Sequence, residues 1–240
     1  MDIVSTVVML MSSFNPALTT RTADSMAMLL RGAVLSPGAH TFTDCLRAAW
    51  PWVRKRWQTY GTVLRRAKFS MTSLARMLFG LILRVIPEDE PIYLSVDESL
   101  VRRWGPYVPA VDMHRDPVRS SRGRKVPSPG HKWVILSVVI RLSYMRCPVA
   151  LPMLCALNTP PTVPERNRRG PTYRRHRTVS QLALLRLRIL VRWAPWRCSI
   201  LTGDGAYATH MLARKLRPGS PHRTLRRFSL VCRFYFDAAI

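Results

Sequence analysis

Two aspartates close apolar runs in a chain that has few acids to place. Asp97 ends the run Pro91-Ile-Tyr-Leu-Ser-Val-Asp97, and Asp204 follows Ser199-Ile-Leu-Thr-Gly203. Asp and Glu number 13 against 38 Lys plus Arg, so a carboxylate that closes a buried strand calls for a cause. Carboxylate oxygens are the ligands that hard divalent cations prefer, and a metal-held water can cut a phosphodiester. The substrate of that chemistry is a polyanion, which positive surroundings retain. Taken together, the two acids therefore suit metal-dependent cleavage of nucleic acid. Taken singly, Asp97 reads as a cap or turn residue and Asp204 as the Asp of an Asp-Gly turn.

The composition agrees with the paired reading. Net charge is +25 over 240 residues, and the pI is near 11.5. Only Lys55, Lys68, Lys125, Lys132 and Lys215 are lysines, which leaves 33 of the 38 bases as Arg. The planar guanidinium forks bidentately onto phosphate, so this excess favours a nucleic-acid partner. A GC-rich genome also inflates Arg, but codon bias alone does not remove so many acids. An apolar fraction of 48% excludes a disordered chain. The five cysteines are odd in number and lack any C-x-x-C spacing, which excludes a zinc ribbon or disulfide framework and fits a reducing compartment. Met1–Met11 is apolar without the basic start of a signal peptide, and no run is long enough to span a bilayer. A soluble protein with no membrane partner is expected.

The elements that must position the acids fall into two domains, residues 1–87 and 88–240. The first reads as helical. Thr72 can cap a helix with apolar residues at 74, 77, 78, 81, 82 and 85, ending at Pro87. Between Thr43 and Leu64, Trp50, Trp52 and Trp57 are interleaved with Arg47, Arg54, Lys55 and Arg56. This segment is either a DNA-contacting face or a helical hairpin whose tryptophans are core. After Pro87-Glu-Asp-Glu-Pro91 the pattern turns to strands at 92–96, 132–142 and 148–157. A helix from about Ser180 to Trp193 follows, stopped by Pro195, then a strand at 198–202, a short helix at 209–216 and a strand at 228–234. If the first three strands form a meander, a right-handed crossover returns the 198–202 strand parallel to the 92–96 strand. Asp97 and Asp204 then meet at the C-terminal ends of neighbouring strands, where open α/β sheets bind ligands.

Several motifs now carry a resemblance. Ser95-Val-Asp-Glu-Ser-Leu-Val-Arg-Arg-Trp-Gly105, Met113-His-Arg-Asp116, Gly130-His-Lys-Trp-Val134 and Leu201-Thr-Gly-Asp-Gly-Ala-Tyr-Ala208 keep order and spacing. From about residue 90 to its end the chain resembles bacterial insertion-sequence transposases with a DDE nuclease core. The resemblance implies an α/β fold, an RNase H-like mixed sheet with flanking helices behind a helical N-terminal region. It makes Asp97 and Asp204 the first two catalytic acids and the ligands of Mg²⁺ or Mn²⁺. It implies double-stranded DNA as partner, both element ends and target, a homo-oligomer, and a bacterial cytoplasm with nucleoid association. The family's third acid, usually Glu, lies on a later helix, and Asp237 and Glu165 are poor substitutes for it. The expectation is therefore a truncated transposase copy; the alternative is an inactive DNA-binding remnant.

The remaining signals rank below these. His114-Arg-Asp116 resembles a kinase catalytic loop, but there is no Gly-rich loop, no Asp-Phe-Gly and no Asn at the required offset. His114 and His131 read as loop and strand-edge histidines, and Glu98 as a residue facing away from Asp97 if the strand continues. Expected DNA contacts are Arg102, Arg103, Arg115, Arg119, Arg122 and Lys132 in one stretch and Arg168 and Arg169 in another. Arg124 and Lys125 extend the first cluster, and Arg166, Arg174, Arg175 and Arg177 the second. Neither cluster has the aromatics for base stacking, so phosphate positioning is their expected role.

Overall fold

In the computed structural model, the described residues are 3–121, 123–159, 164–167, 170–173, 176–217 and 227–233. They fall into two compact units, Met1–Leu81 and Ile82–Ile240.

The first unit is helical: α1 Ile3–Ser12, α2 Thr20–Leu35, α3 Phe42–Ala48, α4 Trp57–Arg66 and α5 Met71–Leu83, whose last turn passes into the second unit. Thr19 and Thr41 cap α2 and α3 by accepting the amides of Thr22 and Asp44. The two helices cross at Gly32, where a Cβ would lie 1.9 Å from the carbonyl oxygen of Cys45. Only glycine permits that approach. The cap of α5 is Ser70, whose Oγ accepts the amide of Ser73 at 3.2 Å, and Thr72 lies inside the helix. Its buried residues are Ala75, Phe79 and Ile82, of which only Ile82 belongs to the expected stripe. Apolar residues surround α5 on most sides, so periodicity alone does not select the buried stripe.

The second unit is a mixed α/β sheet with flanking helices, as expected. Its strands are β1 Ile92–Arg102, β2 Asp112–Arg115, β3 Pro127–Ile140, β4 Val149–Asn158, β7 Ser199–Gly203 and β8 Phe228–Cys232. β5 Pro164–Asn167 and β6 Gly170–Tyr173 form a separate hairpin. β1, β3 and β4 are the antiparallel meander, α6 Val179–Trp193 crosses over, and β7 returns parallel to β1 with β8 parallel beyond it. β2 has no counterpart among the expected strands. It pairs with the start of β3 on the edge that β4 occupies further along. β1 and β3 are also longer than expected, because they pair with each other without interruption from Tyr93↔Val139 to Arg102↔Gly130.

One face of the sheet is the core. Leu94, Val96, Val134, Leu136 and Val138, alternate residues on β1 and β3, are 0–2% exposed. The helix α6 packs against β3 and β4 through a buried stripe that includes Leu184, Leu187 and Val191. Its start is held by a reciprocal capping box between Thr178 and Gln181. Beneath the N-terminal end of β1, the Arg197 guanidinium donates to the carbonyls of Pro87 and Glu90 at 2.6 and 2.7 Å. No helix among the described residues is long and apolar enough to cross a membrane.

Candidate active site

The register decides where the two aspartates lie. The β1–β7 ladder runs from Ile92↔Ser199 to Val96↔Gly203, and the next residue on each strand is Asp97 and Asp204. Alternation places Asp97 on the face of Tyr93 and Ser95, opposite the buried Leu94 and Val96. Thr202 shares that face on β7, and the backbone of Asp204 is still extended (φ −73°, ψ −177°), so Asp204 follows it there. The two acids thus lie level, on one face of adjacent parallel strands, whose axes are spaced by about 4.8 Å. Both side chains are exposed.

Each carboxylate is engaged on one side only. An oxygen of Asp97 accepts the amide of Glu98 at 2.7 Å, and one of Asp204 accepts the amide of Ala206 at 3.0 Å. Asp204 therefore does close a turn, as its singular reading has it, whereas Asp97 sits mid-strand and caps nothing. The other oxygens have no hydrogen bond among the described residues and could accept a cation. Two hard oxygen ligands side by side fit Mg²⁺ or Mn²⁺. No group of three or more His, Cys, Asp or Glu among the described residues could hold a metal.

Tyr207 is the residue that sequence reasoning missed. Its ring fills the notch left by Gly203, where a Cβ would meet Tyr207 Cβ at 3.0 Å and Val96 Cγ1 at 3.1 Å. Tyr207 thereby contacts the residue preceding Asp204 and lies beside the residue preceding Asp97. It is fully buried, and its hydroxyl lacks a hydrogen-bond partner. Burial first, and then the charges of Glu98, Asp204 and Asp97, hold the phenol well above its ordinary pKa. The Gly-x-x-x-Tyr spacing across Asp204 was the available signal, but only packing gives it meaning.

Across the sheet the other expected residues divide. Glu98 faces away from Asp97 and forms a close ion pair with Lys132. Arg102 is likewise committed, its Nε 2.7 Å from the buried Asp116. Arg103, Arg115 and Arg119 are exposed. Arg122, Arg168, Arg169 and Asp237 lie outside the described residues. His114 is half-buried, its Nε2 has no partner, and burial lowers its pKa. His131 meets the carbonyl of Pro109 at 2.8 Å. A groove of about 730 Å³, lined by Val85, Tyr93, Val139 and Thr202 among others, includes neither aspartate.

In the helical unit Trp50 is not core. Trp50 is 64% exposed and meets Trp57 edge-on at 6.4 Å, while the Arg31 guanidinium lies 5.3 Å from the centre of the Trp52 ring. Leu46, Ala49 and Tyr60 occupy the buried positions instead. The reading of the tryptophans as core is overturned for Trp50, while Trp52 and Trp57 are half-buried.

With this geometry in place, comparison with known proteins gives the class. Residues 13–228 match the DDE superfamily endonuclease family, and the chain belongs to it. The match takes in most of the helical unit as well as the sheet, beyond the stretch in which the sequence motifs lie. A cryo-EM structure of a piggyBac transposase synaptic complex with hairpin DNA is similar at 12% identity and a TM-score of 0.41, over 90% of this chain and 41% of that one. The chain thus spans about two fifths of that protein's length. No curated protein matches.

Proposed function

We propose that the protein is a DNA transposase of the insertion-sequence type, in which Asp97 and Asp204 hold the divalent cation that drives phosphodiester cleavage and strand transfer. The observation that carries this reading is the shared level of the two acids beyond Val96↔Gly203. A bound Mg²⁺ or Mn²⁺ would activate a water and stabilise the leaving oxygen. The protein's own part is positional. Asp97 is fixed by its pairing with Ile135 and by the β1–β7 ladder that ends one residue before it, Asp204 by its turn onto Ala206, and Tyr207 by the glycine notch at Gly203. The expected partner is double-stranded DNA, held by exposed arginines, with a bacterial cytoplasm as its setting and a homo-oligomer as the working form.

A second reading has a specific observation behind it. Among the described residues no third carboxylate joins the pair. Two acids hold a metal, but in-line geometry with a loosely placed ion loses orders of magnitude in rate. On this reading the chain by itself binds DNA without cutting it. One experiment separates the two: incubation of the 240-residue chain with DNA carrying element ends and Mg²⁺ or Mn²⁺. DNA retention at low salt without strand cleavage would favour the inactive reading. Metal-dependent cutting that Asp97→Ala abolishes would reject the inactive reading. No retention of DNA at low salt would reject both.

A further inference from the structure

Asp116 is the one acid among the bases of the Arg115–Lys125 stretch, and it is 1% exposed. Every acceptor position on it is used. One carboxylate oxygen accepts the amides of Val118 and Arg119 at 3.0 and 3.2 Å. The other accepts Arg102 Nε at 2.7 Å and Ser128 Oγ at 2.9 Å. These donors come from three separate pieces of chain: the end of β1, the loop after β2 and the start of β3. The loop is then closed on itself. Asp116 N donates to Val126 O at 2.9 Å, Ser120 N to Asp116 O at 3.0 Å, Val126 N to Ser120 Oγ at 2.9 Å and Ser121 N to Arg124 O at 3.0 Å. Gly130 allows the strands beneath to approach, since a Cβ there would lie 2.5 Å from the carbonyl oxygen of Val101.

The outside of this structure is cationic. Arg115, Arg119, Arg124 and Lys125 are all exposed, and Arg103 is exposed just beyond the end of β1. No carboxylate within the loop neutralises them, because the one it contains is turned inward onto Arg102. Long basic side chains on a loose loop lose much of their phosphate-binding energy to ordering, and a loop already closed avoids that loss.

We infer that Asp116 is a positioning residue for DNA: its bonds to Arg102, Ser128 and the Val118 and Arg119 amides hold a preformed cationic turn that grips backbone phosphates. Arg102, a base, acts through Asp116 as part of the scaffold, and Asp116, an acid, promotes binding to a polyanion. This inference rests on the DNA-acting reading above, and its test is a matter of sign. Replacing a carboxylate by a neutral group raises the net charge by one, which by counterion release alone strengthens DNA binding. The positioning role predicts the reverse.

The experiment is fluorescence anisotropy of a labelled DNA duplex titrated with the full chain at several salt concentrations. We expect Asp116→Asn to weaken binding about five- to twentyfold. We expect the Arg119→Gln, Arg124→Gln, Lys125→Gln triple variant to flatten the salt slope by about 0.9 for each phosphate it no longer neutralises. Should Asp116→Asn fail to melt cooperatively, Ser128→Ala takes its place, since it removes one bond and no charge; a two- to threefold weakening is then expected. A folded Asp116→Asn that binds as tightly as the parent, or more tightly, overturns the inference, as does an unchanged salt slope in the triple variant. A parent chain that binds no duplex at low salt instead overturns the DNA-acting reading beneath it.

Discussion

Asp116 and the Asp97–Asp204 pair are carboxylates on opposite faces of one sheet. Asp116 accepts four hydrogen bonds and is closed from solvent. Asp97 and Asp204 each accept one backbone amide from a near neighbour in sequence and stand exposed. The Arg102 guanidinium, first, and then Ser128 and the two amides hold the Asp116 carboxyl well below the usual carboxylate range. An acid so fully engaged has no oxygen left for a ligand and can only hold structure. Asp97 and Asp204 each keep an oxygen without a hydrogen bond among the described residues. The proposed metal site needs the second kind of carboxylate, and the proposed cationic turn the first.

The sharpest way to break this contrast is to remove the exposed acids. Asp97→Ala and Asp204→Ala should each lower Mn²⁺ affinity by on the order of a hundredfold or more, since losing even an outer-shell partner often costs ten- to a hundredfold. Isothermal titration calorimetry reads this directly, and melting temperature should stay close to that of the parent. Undiminished Mn²⁺ binding by either variant would remove both residues from the site.

Gly203→Ala probes the spacing of the pair without touching a carboxylate. The new Cβ would press on Tyr207 and Val96 at about 3 Å. Overpacking of this kind destabilises by about 1–3 kcal/mol, and the displaced Tyr207 ring should also weaken Mn²⁺ binding. Denaturant unfolding and the same calorimetry check the two effects. A variant with lowered stability and unaltered Mn²⁺ affinity would show that the notch serves folding alone.

The smallest expected effect concerns pH. Because the folded-state pKa of Asp116 is depressed, the stability it contributes is fully present above the ordinary carboxylate pKa near 4 and is lost as pH falls towards the folded value. The gap in Tm between the parent and Asp116→Asn should therefore be constant from about pH 5 to 7 and narrow below about pH 4. A gap that persists at low pH would mean that Asp116 acts through shape and not through charge.

Much of this architecture was legible in the residues. The apolar runs at 92–96 and 198–202, each ending in an acid, located the paired strands, and Pro195 and the Leu-rich stripe from 182 to 190 located the crossover helix. The crossover rule then brought Asp97 and Asp204 to one level across 107 positions of sequence. Strand ends were less legible. Asp97, Glu98 and Ser99 look like the close of a strand, yet β1 runs on to Arg102 because β3 pairs with it along the whole length. Backbone pairing needs no apolar side chain, so a hydropathy pattern does not record it.

What only the tertiary structure decided is the partner of each charge. Arg102 and Lys132 read as phosphate contacts because each is a base in a basic chain; folding turns one onto Asp116 and the other onto Glu98. Asp116 reads as a loop acid among arginines until β1 and β3 bring Arg102 and Ser128 to it. Tyr207 reads as one more aromatic until Gly203 makes room for its ring. Side-chain type and spacing report which residues avoid water and which can hold an ion. Which charge meets which depends on contacts between segments far apart in the chain, and these exist only once the sheet has closed.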